Sequence, residues 1–182
     1  MPDRCGEAGD SVLRLFFALR PDEDTTAQLV SAAGTLHLSS QARHVPRENY
    51  HLTLAFLGEV ADSRLAEFQE LGRRQRCAAC TITFDAYEYW ALSQVVVASA
   101  QATPLSLAKL HDRLLQTLRS RTRLRPHVTL ARKVTQAPVL SAMSPFIWRA
   151  RTFSLMRSDS GERASVYTVV DTWSLLDEMP KP

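Results

Sequence analysis

From Val12 onward, apolar runs of strand length alternate with longer stretches in which apolar residues recur at helical spacing. Val12 to Leu19 (VLRLFFAL) reads as a strand, and Asp22-Glu-Asp-Thr then opens a helix to about Leu38, with acids in the turn where the helix dipole favours them. Tyr50 to Leu57 (YHLTLAFL) reads as a strand closed by Gly58, and Asp62 as the N-cap of a helix through about Arg76. Cys80 to Trp90 (CTITFDAYEYW) alternates as one strand with a wet face. The same order then recurs. Gln94 to Ala100 is a strand, and Pro104 begins a helix to about Arg121 with Leu107, Leu110, Leu114 and Leu118 on one face. His127 to Lys133 (HVTLARK), Phe146 to Arg157 and Ser165 to Leu176 are further strands, the last two joined by a polar turn, Ser158 to Arg163.

The recurrence suggests a duplicated unit, about 12–92 and 93–182, forming two lobes of one domain over 12–182. Met1 to Ser11 is polar and acidic, lacks the layout of a signal peptide, and reads as a loose tail. The 182 residues suffice for one compact domain, and a hydrophobic fraction of 45% argues against general disorder. No apolar run reaches the roughly 18–20 residues of a membrane span, so no membrane contact is expected. With the tail lacking a signal-peptide layout, a cytoplasmic protein is expected, and it is taken to be a monomer. Net charge is +3, carried almost wholly by arginine, with lysine only at 109, 133 and 181. Guanidinium forks suit phosphate and stack on bases, although a solvated arginine surface would look the same. Cys5, Cys77 and Cys80 make no disulfide framework, and Cys77-Ala-Ala-Cys80 lacks the second pair of a zinc site. Two incidental cysteines in a reducing compartment are expected.

One short sequence occurs twice. His51-Leu52-Thr53-Leu54-Ala55 stands in the first half and His127-Val128-Thr129-Leu130-Ala131 in the second, each shortly after a proline, Pro46 or Pro126. Strand alternation puts His51, Thr53 and Ala55 on one face and Leu52 and Leu54 in the core, with the same division in the second copy. If the halves pack about a pseudo-two-fold axis, two His-Thr pairs face each other across a cleft. Exchange at a phosphodiester needs a proton removed from the attacking oxygen and one given to the leaving oxygen, on opposite sides of phosphorus. Two imidazoles, titrating near neutrality, can do both, and two threonine hydroxyls can hold the non-bridging oxygens. No Asp, Glu or Cys in either motif completes a metal site, so neither metal nor cofactor is expected. His37 and His111 read as helical surface or boundary residues, and His44 as a residue on the approach to the first motif.

The paired motifs resemble those of the 2H phosphoesterase superfamily. Within it the chain looks most like the RNA 2′,3′-cyclic phosphodiesterases, also called 2′-5′ RNA ligases. The resemblance runs through Arg14 to Leu19, Asn49 to Glu59, Arg125 to Arg132, and Phe153-Ser-Leu with the later Tyr167. It implies a bilobal α/β fold of the α+β type, each lobe an antiparallel sheet with flanking helices around a central cleft. It implies hydrolysis of 2′,3′-cyclic phosphates to 2′-phosphates on RNA 3′ ends or cyclic nucleotides, without metal, and in some members 2′-5′ joining. His51, Thr53, His127 and Thr129 fall on its catalytic positions, His51 as acid and His127 as base. The near-symmetry of the motifs does not itself rank the two.

Phe56 and Arg132, each five residues after its histidine, match substrate contacts of the family, and Tyr167 joins them. An aromatic ring and a guanidinium could sandwich a terminal base. Strict alternation puts both on the core face, so a bulge is required, whereas Lys133 has the parity of the cleft and is the rival phosphate contact. Many relatives carry Trp where this chain has His44. Two other functions fit the same sequence: hydrolysis of a non-RNA cyclic phosphate, and a catalytically quiet RNA-binding module.

Overall fold

The computed structural model describes residues 11–118, 122–160 and 165–177. The tail over residues 1–10, with Cys5, and residues 161–163 of the expected Ser158–Arg163 turn lie outside the described residues, while 158–160 continue a strand rather than a turn. Strand β1, Val12–Leu19, is apolar on both faces because it is central. Leu15, Phe17 and Leu19 point into the main core, while Phe16 and Ala18 meet Met156 on the other side.

Helix α1, Glu23–Gly34, starts at Asp22, whose side chain accepts from the Thr25 amide at 2.8 Å. It stops four residues short of the expected Leu38. Thr35 turns its hydroxyl onto the Ala32 carbonyl at 2.9 Å, closing the last turn, and His37 lies exposed beyond the helix rather than on it. A two-residue strand β2, Arg43–His44, and a 3-10 turn, Arg47–Asn49, lead to β3, Leu52–Ala61.

Asp62 does not cap the next helix. It opens a 3-10 turn, its amide bonded to the Ser11 carbonyl, and α2, Leu65–Arg73, follows without a side-chain cap. Gly72 on α2 lies under Trp173, where a Cβ would come within 2.4 Å of the indole, so only glycine allows this approach.

The expected strand Cys80–Trp90 divides into β4, Cys80–Phe84, and β5, Ala86–Trp90. Asp85 makes the break, donating its amide to the Ser99 carbonyl and accepting from the Gln101 amide. Then come β6, Val95–Ser99, helix α3, Leu105–Leu118, and β7, His127–Arg132. The expected end of α3 near Arg121 lies outside the described residues. Phe146–Arg157 also divides, into β8, Phe146–Ala150, and β9, Thr152–Ser160; β10 is Ser165–Ser174. Alternation reports which face a residue takes, not which partner strand it meets, so a chain that changes sheets at one residue still alternates.

The strands form two four-stranded sheets, β10-β9-β1-β3 and β2-β7-β6-β5, plus the pair β4-β8, all antiparallel. This is the bilobal α/β arrangement expected. Neither sheet is drawn from one half of the chain: β9 and β10 complete the sheet of β1 and β3, and β2 and β5 complete that of β6 and β7. One buried cluster runs through both, from Phe17 and Leu54 past Leu107 and Leu110 to Val128 and Leu130. β3 and β7, the motif strands, touch each other.

Candidate active site

Leu52, Leu54, Val128 and Leu130 are buried in the core, which leaves His51, Thr53, His127 and Thr129 half-buried on the opposite side. The two histidines are held alike. His51 Nδ1 lies 2.7 Å from the Asn49 carbonyl, and His127 Nδ1 lies 2.7 Å from the Arg125 carbonyl, each two residues back. A carbonyl only accepts, so Nδ1 carries the hydrogen in both rings and Nε2 is the nitrogen left for chemistry. Pro46 and Pro126 shape the approach: Pro46 begins the 3-10 turn that presents the Asn49 carbonyl, and Pro126 stands between Arg125 and its histidine.

Aromatic rings brace each imidazole. Tyr167 meets His51 edge-on at 4.9 Å and Phe16 lies 5.1 Å away, while Trp90 lies 4.4 Å from His127. Arg125 covers Trp90 at 4.9 Å and pairs with Glu88 at 2.5 Å; the indole nitrogen also donates to Glu88 at 2.8 Å. Such braces fix ring orientation and exclude water.

Burial pushes the His51 imidazole down to about 4, against the raising effect of its bond to Asn49; the charges of Arg132, His127 and Arg20 push it further down. Burial also lowers His127, with its bond to Arg125 opposing; Arg125 and Arg132 lower it and Glu88 raises it. Burial alone would raise the Glu88 carboxyl. Hydrogen bonds from Trp90 and Ser99, with the charges of Arg125 and His127, hold it below its usual range.

The bulge that Phe56 and Arg132 require is present in both strands. Against β1, Ala55 pairs with Phe17 and Thr53 with Ala18, so Leu54 has no partner; a second shift skips Leu57. Against β6, Ala131 pairs with Val96 and Thr129 with Val97, so Leu130 is skipped at the same motif position. Each bulge reverses the parity beyond it. Phe56 is accordingly 70% exposed and lines a recess of about 370 Å³ with Thr53, Trp90, Arg125 and His127. Arg132 is exposed, and its charge reaches both histidines. Lys133 follows the strand end with φ +57° and is exposed. His44 pairs with Ala131 at the exposed sheet edge.

Sequence reading missed Phe16, Arg20, Glu88 and Trp90 as parts of this site. The visible signal was Phe16 and Trp90 as aromatics on strand runs, which core packing explains equally well. It also misplaced His111, which is buried. Cys77 and Cys80 are buried free thiols, and burial pushes both up. Among the described residues no three His, Cys, Asp or Glu side chains are grouped to hold a metal ion, and no helix is long and apolar enough to cross a membrane.

Residues 19–97 match the family model of LigT like phosphoesterases. The chain is 29% identical over 170 residues to the RNA 2′,3′-cyclic phosphodiesterase of Escherichia coli, covering 89% of this chain and 96% of that protein. It is 30% identical over 184 residues to the RNA 2′,3′-cyclic phosphodiesterase of Thermus thermophilus, covering 91% of this chain and 92% of that one. The fold superposes on the crystal structure of E. coli LigT complexed with 3′-AMP with a TM-score of 0.81 at 29% identity, covering 91% and 99% of the two chains.

Proposed function

The chain belongs to the LigT-like RNA 2′,3′-cyclic phosphodiesterases of the 2H superfamily, and on that premise we propose that it opens ribose 2′,3′-cyclic phosphates at RNA 3′ ends by two-histidine acid–base catalysis. The observation that carries the reading is the matched pair of Nδ1 bonds, which leave the Nε2 atoms of two rings, near enough that the charge of one acts on the other, for proton transfer. Water attacks phosphorus as one Nε2 takes its proton. The bond from phosphorus to the ribose 3′ oxygen breaks, the other Nε2 gives that oxygen a proton, and the product is a 2′-phosphate. The family order makes His127 the base and His51 the acid. Thr53 and Thr129 hold the non-bridging oxygens, where charge gathers.

The free cleft disfavours a charged His51. The acid therefore gains its proton together with the anionic phosphate, whose charge opposes the desolvation and the nearby guanidinium. Phe56 and Arg132 hold the terminal base, Tyr167 keeps His51 oriented, and Lys133 stays in reserve as a contact to an upstream phosphate. Residues 12–182 act as one catalytic unit that carries both histidines and their aromatic braces, and that unit works as a monomer. Two buried free thiols support a reducing, cytoplasmic setting.

A panel of 2′,3′-cyclic nucleotides, cyclic-ended oligoribonucleotides and a sugar cyclic phosphate tests the substrate, before and after dialysis against a chelator. The cyclic-ended oligoribonucleotide should be opened fastest, with unchanged rate after dialysis. Phosphorus NMR should show a 2′-phosphate. Turnover of the sugar ester alone, or activity that returns only with added metal, would overturn the reading. Incubation of cyclic-ended and 5′-hydroxyl RNAs measures 2′-5′ joining, the same exchange with a ribose hydroxyl replacing water.

A further inference from the structure

His111 is buried on α3, yet both its ring nitrogens face backbone carbonyls. Nδ1 lies 2.7 Å from the Leu54 oxygen and Nε2 2.8 Å from the Thr122 oxygen. A neutral imidazole donates to one of these, and a charged one to both. Neither carbonyl is arbitrary. Leu54 is the bulged residue between Thr53 and Ala55, and Thr122 lies on the segment leading to Arg125, whose own carbonyl holds His127.

The second motif handles its bulge differently. The Leu130 carbonyl accepts from the Val45 amide at 2.8 Å, just beyond β2, the strand on the outer side of β7. β3 is the edge strand of its sheet, and among the described residues no strand pairs with its outer side. A side chain from α3, which packs on β3, takes that place. His111 also lines the recess shared by Thr53, Phe56 and His127.

We infer that His111 is a positioning residue for the proposed reaction. It pins the β3 bulge that turns Phe56 outward next to Thr53, and ties that bulge to the segment carrying His127, so that the two motifs keep one spacing. This rests on the proposed phosphodiesterase activity for its kinetic consequence, but not for its geometric one. Loss of the ring N–H leaves a backbone carbonyl beside the cleft without its donor, and small misplacements there lower turnover more than binding.

The test compares His111→Phe, which keeps a ring without donors, and His111→Gln, which keeps a donor, with the parent by circular dichroism, ring NMR and kinetics on a cyclic-ended dinucleotide. His111→Phe should fold, lower kcat by about tenfold or more with KM nearly unchanged, and broaden the Nδ1–H signals of His51 and His127; His111→Gln should recover part of each. Combined with Thr53→Val, the further loss from His111→Phe should shrink to about twofold, because His111 acts through that strand. If His111→Phe does not fold, His111→Gln alone must show the kcat loss and signal change. Parent-like signals and a kcat within about twofold of the parent in a folded variant would overturn the inference. An inactive parent would instead refute the phosphodiesterase reading, while the NMR comparison would still decide the role of His111.

Discussion

His51 and His127 make the same backbone hydrogen bond but stand in different electrical company. His51 is enclosed by Phe16 and Tyr167, and the charges acting on it, from Arg132, His127 and Arg20, are all of positive groups. His127 has Trp90 on one side and Glu88 to offset part of the arginine charge. A repeated motif thus yields two unequal groups, because the motif sets the ring's hydrogen bond and the surrounding strands set its proton affinity. The first ring depends more on the substrate's own charge.

The largest effects should come from removing either ring. His51→Ala and His127→Ala should each lower kcat by about 10²–10⁴-fold, and the double variant by much less than the product, since the two act as a unit. Near-parent turnover in either single variant, with intact circular dichroism, would remove that ring from the chemistry. Next come the hydroxyls: Thr53→Val and Thr129→Val should each cost about 10²-fold in kcat, the scale of one lost donor to a developing oxyanion. A pure KM effect would make them binding groups instead.

The inequality itself can be measured. The folded His51 is pushed down to about 4 against an ordinary 6.5, so well above pH 6.5 the ring is neutral in both states and contributes nothing to pH dependence. As pH falls toward 4 the unfolded chain takes a proton that the fold refuses, and stability drops by on the order of 3 kcal/mol. Urea titrations across that range should show this slope in the parent and not in His51→Gln. Inorganic phosphate should reduce it and raise the NMR titration midpoint of His51. A midpoint unmoved by phosphate would transfer the acid's role to His127. The smallest effect concerns Phe56→Ala, which should weaken binding of cyclic-ended oligonucleotides by about 1–3 kcal/mol while sparing kcat. Unchanged affinity would free Phe56 of any role in base binding.

The paired motifs were legible in the sequence because β-strand alternation is local: His51 and Thr53, or His127 and Thr129, share a face whatever packs behind them. Phe56 and Arg132 were legible only by resemblance, since their exposure depends on bulges at Leu54 and Leu130 that leave no mark in composition. The reading of Cys80–Trp90 and Phe146–Arg157 as single strands shows the same boundary, because pattern does not say where a chain changes sheets.

Local pattern carried the order of strands and helices, the buried leucines behind each motif and the residue types able to move protons, and the family resemblance added the bilobal α/β class. Tertiary structure alone decided which strands share a sheet, that β3 is an edge while β7 is flanked by β2, and hence that His111 lies buried against the first motif. It also decided that Trp90 and Glu88 stand beside His127 while Phe16 and Arg20 stand beside His51. The physical reason is range. Side-chain direction follows from two adjacent dihedrals, whereas burial and charge at a ring depend on residues brought together from distant parts of the chain.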